Sequence, residues 1–269
     1  MSVVHPSGET NARLRSGEGI PADNAFSGTD LRQLDEAVRD ARLASTAAAA
    51  TLLAPVEAGG EATALTERNC LFDHCGVLLF PRTVGAGLRY LERRGLAPLP
   101  TVPSTVVRRR LGERYGLDPA DCEVHITRLR MNLPDGRRHA AVEVFLFPRD
   151  SPGFDRRIAE SEAAHGFEQH TAFVVGRPGE PLLAGLVSAW RTEAGLLWEG
   201  GGHNPHEGGP DGSTVMYFVR EHGRPARRRR FELHCPGDLG DFMDRIPQET
   251  EAVRRAYAEW RLAGLEIPA

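Results

Sequence analysis

Two stretches of this chain read in the same order: a short apolar strand, an amphipathic helix closed by glycine, and then further strands. The first holds "FDHCGVLLF", then "TVGAGLRYLERRGL" with Val84, Leu88 and Leu91 on one side and Gly95 as the stop. An added helix, "PSTVVRRRLGERYGL", precedes two strands around the Pro-Asp-Gly turn of "CEVHITRLRMNLPDGRRHAAVEVFLFP". The second holds "FEQHTAFVV", then "PLLAGLVSAWRTEAG" with Leu183, Leu186 and Trp190 at helical spacing and Gly195 as the stop. "LLWEGGGHNPHEGG", "STVMYFV" and "RRRRFELHCP" follow as three strands with glycine-rich joints. An internal repeat of this kind restricts the fold to two copies of one unit sharing a core.

The remaining segments flank the repeat. Residues 1–28 have the composition of a disordered tail, and 29–69 read as a helix to about residue 49 followed by linker. In that helix Leu31, Leu34 and Val38 recur at helical spacing behind Thr29 as N-cap. The two units occupy 70–150 and 165–237, and 238–269 read as a C-terminal helix with Val253, Tyr257 and Trp260 along one side.

Composition excludes several classes of function. With 269 residues, 41% of them hydrophobic, the chain buries a substantial core. The net charge of -4 argues against nucleic acid as a partner, and the basic run "ARRRRFE" reads as a solvated strand entrance or a handle for an anionic substrate. No apolar run has the length of a membrane span, and the N-terminus lacks the apolar core of a signal peptide, so the expected location is the cytoplasm. Cys70, Cys75, Cys122 and Cys235 form no CxxC pair, which favours reduced thiols over a disulfide framework or a zinc knuckle.

Alternation along the strands selects the chemistry. His74 shares a face with Gly76 and Leu78, and His170 holds the same place in the second unit, on a face with Ala172 and Val174. In the closing strands Glu143 and Glu232 correspond. A buried carboxylate in an apolar strand is costly unless it is paired or bound to a cation. Two of them, each matched with a histidine, form a donor set suited to Fe(II), Mn(II), Ni(II), Co(II) or Zn(II).

Across residues 71–236 the chain resembles the vicinal oxygen chelate superfamily, which is built from paired βαβββ modules. The resemblance rests on "DHCGVLLFPRTVGAGLRYLERRGL", "QHTAFVVGRPGEPLLAGLVSAW" and "RRFELHCP". It implies an α+β fold: two βαβββ modules forming a curved mixed sheet around one metal, with flanking helices. The second module is most similar to extradiol ring-cleaving dioxygenases, through "GGGHNPHEGG", "STVMYFV" and "FELHC".

That likeness implies His74, His170 and Glu232 as iron ligands, Tyr217 as a hydrogen-bonding partner of the substrate, and His203 or His206 beside them. "REHGRPARRRR" departs from the short turn usual before the closing strand. His139, placed by alternation on the Glu143 face, is the candidate base. Glu143 is either a fourth ligand or a buried, hydrogen-bonded carboxylate.

The expected function is a non-haem Fe(II) dioxygenase acting with O2 on a catechol-like or other chelating small molecule. The alternatives are a metal-dependent lyase or isomerase of glyoxalase I or epimerase type with two histidines and two glutamates, and a non-catalytic binding protein. Modules of this kind pair within a chain or between chains, so a homodimer is open.

Overall fold

The computed structural model describes residues 25–56, 59–221 and 228–265. In chain order the elements are α1 (Gly28–Ala44), α2 (Ala49–Leu52), α3 (Glu61–Asn69), β1 (Cys70–Leu79), α4 (Val84–Arg93), β2 (Ala97–Pro98), β3 (Val102–Pro103) and α5 (Thr105–Tyr115). There follow β4 (His125–Asn132), β5 (Arg138–Leu146), α6 (Arg156–His165), β6 (His170–Val175) and α7 (Glu180–Thr192). The chain ends with β7 (Leu196–Gly209), β8 (Gly212–Arg220), β9 (Arg230–Pro236), α8 (Gly240–Met243) and α9 (Thr250–Leu265).

One open, mixed sheet runs β2-β4-β5-β1-β6-β9-β8-β7, with β3 also paired to β4. The order is symmetrical about the β1–β6 seam. In each half the first and last strands pair in parallel, β1 with β5 and β6 with β9, and the two halves join through antiparallel pairing of β1 and β6. This is the α+β arrangement of two βαβββ modules that the sequence resemblance implied.

Helices cover the outer face. α7 packs Leu183, Leu186, Val187 and Trp190 on Phe173, Phe218 and Phe231, while α1 and α4 cover Val77, Leu79, Val142 and Val144. Each such side chain contributes about 1.5–3 kcal/mol on burial. α5 lies on the other, concave face. Its Val107 and Leu111 meet Leu78, Ile126 and Phe145, and its Val106 meets Val215 and Tyr217. α5 therefore plugs one end of the trough and touches both modules.

Several boundaries differ from the sequence reading. Most of the expected tail lies outside the described residues, but Ala25 and Phe26 are buried, and α1 starts at Gly28 under a Ser27 capping box with Asp30. The cap is thus Ser27 and not Thr29. The first helix stops at Ala44, and the stretch read as linker contains α3, whose Ala62 and Thr66 are buried. α6, between the modules, has no counterpart in the sequence reading. The short polar helices α3 and α6 carry weak periodicity, and contacts with neighbouring elements decide their structure.

The arginine run is not a solvated entrance at its C-terminal end. Arg230 is buried between Glu199 and Glu168, and Arg229 lies over the Trp260 ring at 5.5 Å. No described helix is long and apolar enough to cross a membrane.

Candidate metal centre

The four central strands each deliver one donor to the floor of the trough. β1 carries His74, β5 Glu143, β6 His170 and β9 Glu232, and all four are buried. The register explains the convergence. Gly76 pairs with both Glu143 and His170, while Ala172 pairs with both His74 and Glu232. Each module thus places a small residue opposite its own glutamate and the other module's histidine, and the space left there is filled by the four candidate donors.

Their donor atoms lie within 4.8 Å of one another. His74 Nε2 is 3.3 Å from His170 Nε2 and 3.4 Å from Glu143 Oε2, and His170 Nε2 is 3.2 Å from Glu232 Oε2. The longer edges, His74 to Glu232 and His170 to Glu143, are both 3.9 Å. Donors about 2.1 Å from a common cation stand about 3.0–3.4 Å apart at right or tetrahedral angles, so these spacings fit such a cation.

Hydrogen bonding on the far side of each ring supports the fit. His74 Nδ1 donates to Asp73 Oδ2 at 2.9 Å, and His170 Nδ1 donates to the Glu168 carbonyl at 2.8 Å. With both Nδ1 atoms spent as donors, both Nε2 atoms turn inward, the arrangement usual for histidines that ligate metals. Glu232 Oε2, although near His170, has no aligned hydrogen-bond partner. A buried carboxylate oxygen left unsatisfied 3.2 Å from an imidazole nitrogen is a strong demand for positive charge.

Electrostatics agree. Burial opposes charge on His74, yet the facing Glu143 carboxylate raises its pKa to about 10. Burial likewise opposes charge on Glu143 and Glu232, but the histidines hold both below the ordinary carboxylate range. The field that retains a proton on His74 also favours a cation between the four groups.

Around the donors is a second set of polar side chains that the sequence reading did not assign. Asp73 Oδ2 also accepts from His234 Nδ1 at 3.0 Å, and its Oδ1 is 3.0 Å from Arg128 Nη2. Glu207, on the arm of β7, feels the charges of Glu143 and Glu232. Burial and then Glu143 push its pKa up to about 7. Asp73, His234, Arg128 and Glu207 are less buried than the four donors, and they mark the open end of the trough, opposite α5.

The other expected residues lie elsewhere. His139 is held at the rim, its Nε2 donating to the Asp73 carbonyl at 3.0 Å. Alternation misplaces it because a bulge interrupts β5, where the consecutive residues Ala141 and Val142 both pack in the outer core. His203 Nε2 donates to the Asp211 carbonyl and fastens the β7–β8 arm, while His206 is exposed. Neither joins the four donors.

Tyr217 does reach the centre's edge, with its ring 5.5 Å from that of His170 and pairing with Glu232 across the strands. Arg110 and Arg230 lie over that ring, and it forms part of the wall of a cavity of about 860 Å³ between α5, β7 and α9.

No protein-family model matches the chain, and no curated protein matches it. Solved structures with a similar chain path include a triple mutant of 4-hydroxymandelate synthase from Streptomyces coelicolor, at 15% identity and a TM-score of 0.35 over 70% of this chain. The match spans 55% of that synthase. A selenomethionine methylmalonyl-CoA epimerase and the methylmalonyl-CoA epimerase from Mycobacterium tuberculosis also match, each at 15% identity and a TM-score of 0.35. They cover 62% and 68% of this chain and 95% of their own. Likeness at this level assigns neither family nor activity.

Proposed function

We propose that the protein is a metal-dependent isomerase or lyase whose His74, Glu143, His170 and Glu232 hold one divalent cation and present it to a small oxygen-chelating substrate. The observation that carries this reading is the position of Glu143, 3.4 and 3.9 Å from the two inward nitrogens where Glu232 is at 3.2 and 3.9 Å. Four protein donors on a six-coordinate cation leave room for the two oxygens of a chelating substrate. Three donors would leave room for O2 as well.

The donor set suits Fe(II), Mn(II), Co(II), Ni(II) or Zn(II). Such a cation, when bound, acts as a Lewis acid that makes a proton beside the substrate's oxygen easier to remove. The chain does the rest. Asp73 and the Glu168 carbonyl fix the ring orientations of His74 and His170. Burial of the four donors excludes water from the floor of the trough. His234 is anchored by its Nδ1 on Asp73, and Glu207 is close enough to interact by charge with His234 and with the donors. These two are the groups placed to take a proton from the substrate carbon and return it to the product.

The dioxygenase reading keeps one observation in its favour, the contact of Tyr217 with His170, and it requires Glu143 to stand free of the cation. One experiment separates the two. Protein loaded anaerobically with each divalent metal is incubated in D2O with 2-oxo acids, 2-hydroxy ketones and acyl thioesters, and oxygen uptake is followed with a catechol panel in air. The account predicts deuterium at the carbon beside the chelating oxygen and no oxygen uptake. Oxygen uptake without exchange would replace it with the dioxygenase.

A further inference from the structure

Arg128 stands directly opposite Glu143 in the β4–β5 pairing, on the face of the sheet that carries the donors. Its Nε and Nη2 are both buried, and neither has a hydrogen-bond partner. Asp73 Oδ1 comes within 3.0 Å of Nη2 and balances its charge, while Nε has no anion beside it among the described residues. These two nitrogens form the side edge of the guanidinium, the edge whose parallel N–H bonds match the two oxygens of a carboxylate. Leaving such an edge buried and unmet is costly, and natural proteins rarely do so without a purpose.

The side chains around Arg128 explain why a ligand and not the protein meets that edge. Asp73 is already shared between His74 and His234, and Glu143 is turned toward His74 Nε2. Glu207 is near enough to act on Arg128 by charge, yet no ion pair joins the two among the described residues. The edge lies beside the four donors, between Asp73 and the Glu143 and Glu207 carboxylates.

Resting on the metal reading above, we propose that Arg128 determines specificity by binding a carboxylate of the substrate through Nε and Nη2, while two other oxygens of that substrate chelate the cation. The substrate class is then a small carboxylic acid with a separate chelating pair, such as an oxo or hydroxy acid one to three carbons longer than the chelate itself. The cation's charge is what admits a further anion among Asp73, Glu143, Glu207 and Glu232.

The probes are the monohydroxamates of malonate, succinate and glutarate, each compared with the methyl-ended hydroxamate of equal length. Every probe offers the same two oxygens to the metal, and only the tail differs. Dissociation constants are measured by calorimetry on Co(II)-loaded full-length protein, with Arg128→Lys and Arg128→Met alongside and circular dichroism as the check on folding. Arg128→Lys keeps the positive charge beside Asp73 and removes the forked edge. The wild type is expected to prefer the best-fitting carboxylate probe by about ten- to hundredfold, and both variants to lose that preference. Equal affinity for the tailed and methyl-ended probes in the wild type, or an unchanged preference in both variants, overturns the proposal. Failure of the underlying metal reading looks different: no Co(II) is retained and no hydroxamate binds, and the proposal falls with it.

Discussion

Gly76 meets both Glu143 and His170 across its neighbouring strands, so the centre is sensitive to a single methyl group at this position. A Cβ built on Gly76 would lie 2.0 Å from His170 Cε1, well inside contact distance. Gly76→Ala is therefore expected to push the His170 ring off its hydrogen bond to the Glu168 carbonyl and to weaken metal binding by at least about tenfold, at a stability cost of about 1–3 kcal/mol. Calorimetric metal titration beside urea denaturation checks this, and wild-type affinity in a folded Gly76→Ala protein would contradict the register. At this scale the sequence is informative where the strands are regular. His74, His170 and Glu232 were legible from strand alternation taken with the repeat and the family resemblance, and Glu143 as the matching carboxylate whose role stayed open. Asp73 was not, because β1 is irregular between Phe72 and His74, and the alternation that places His74 inward would turn its neighbour away.

A buried ionic network joins the elements behind His170. Glu168 takes Arg110 and Arg114 from α5 and Arg230 from β9, while Glu162 of α6 accepts the Glu168 N–H at 3.0 Å. The network clasps α5, which follows the first module's helix, onto the strand that opens the second module. Its weak point is Glu162, where burial and then the Glu168 charge push the pKa up to about 7. The sign follows from linkage: the folded chain holds a proton that the unfolded chain releases near its ordinary value of 4.5. Stability from this group is complete below about pH 4.5 and is lost as pH rises toward about 7. Glu162→Gln, which removes the titration, is expected to match the wild type in relative stability at low pH and to gain on the order of 1–3 kcal/mol at pH 8. Urea unfolding at the two pH values measures it, and a pH-independent difference would contradict the network's charge balance. Little of this was legible in the sequence. Arg110, Arg114 and Arg230 lie 58, 54 and 62 residues from Glu168, and an arginine run beside a strand ordinarily reads as solvated. Arg128 was hidden by the bulge at Ala141, which shifts the hairpin count by one and brings it opposite Glu143 in place of Val142.

At the scale of the whole molecule, the duplicated order of strand, helix and strands was enough to anticipate two βαβββ modules sharing one mixed sheet. It did not foresee that α5 plugs the trough or that β7 extends an arm carrying Glu207, since both depend on how loops travel between modules. The symmetry about the β1–β6 seam also governs the candidate centre, because neither module holds more than one of its histidines and one of its glutamates. A cation bound there depends equally on both halves. The decisive measurement is the divalent-metal content of the purified full-length chain and of its His74→Ala and His170→Ala variants after equilibration with excess metal and removal of the unbound ion. One equivalent per wild-type chain, lost in both folded variants, is the expected result. No metal in the wild type, or an equivalent retained when either histidine is removed, would contradict a centre shared between the modules.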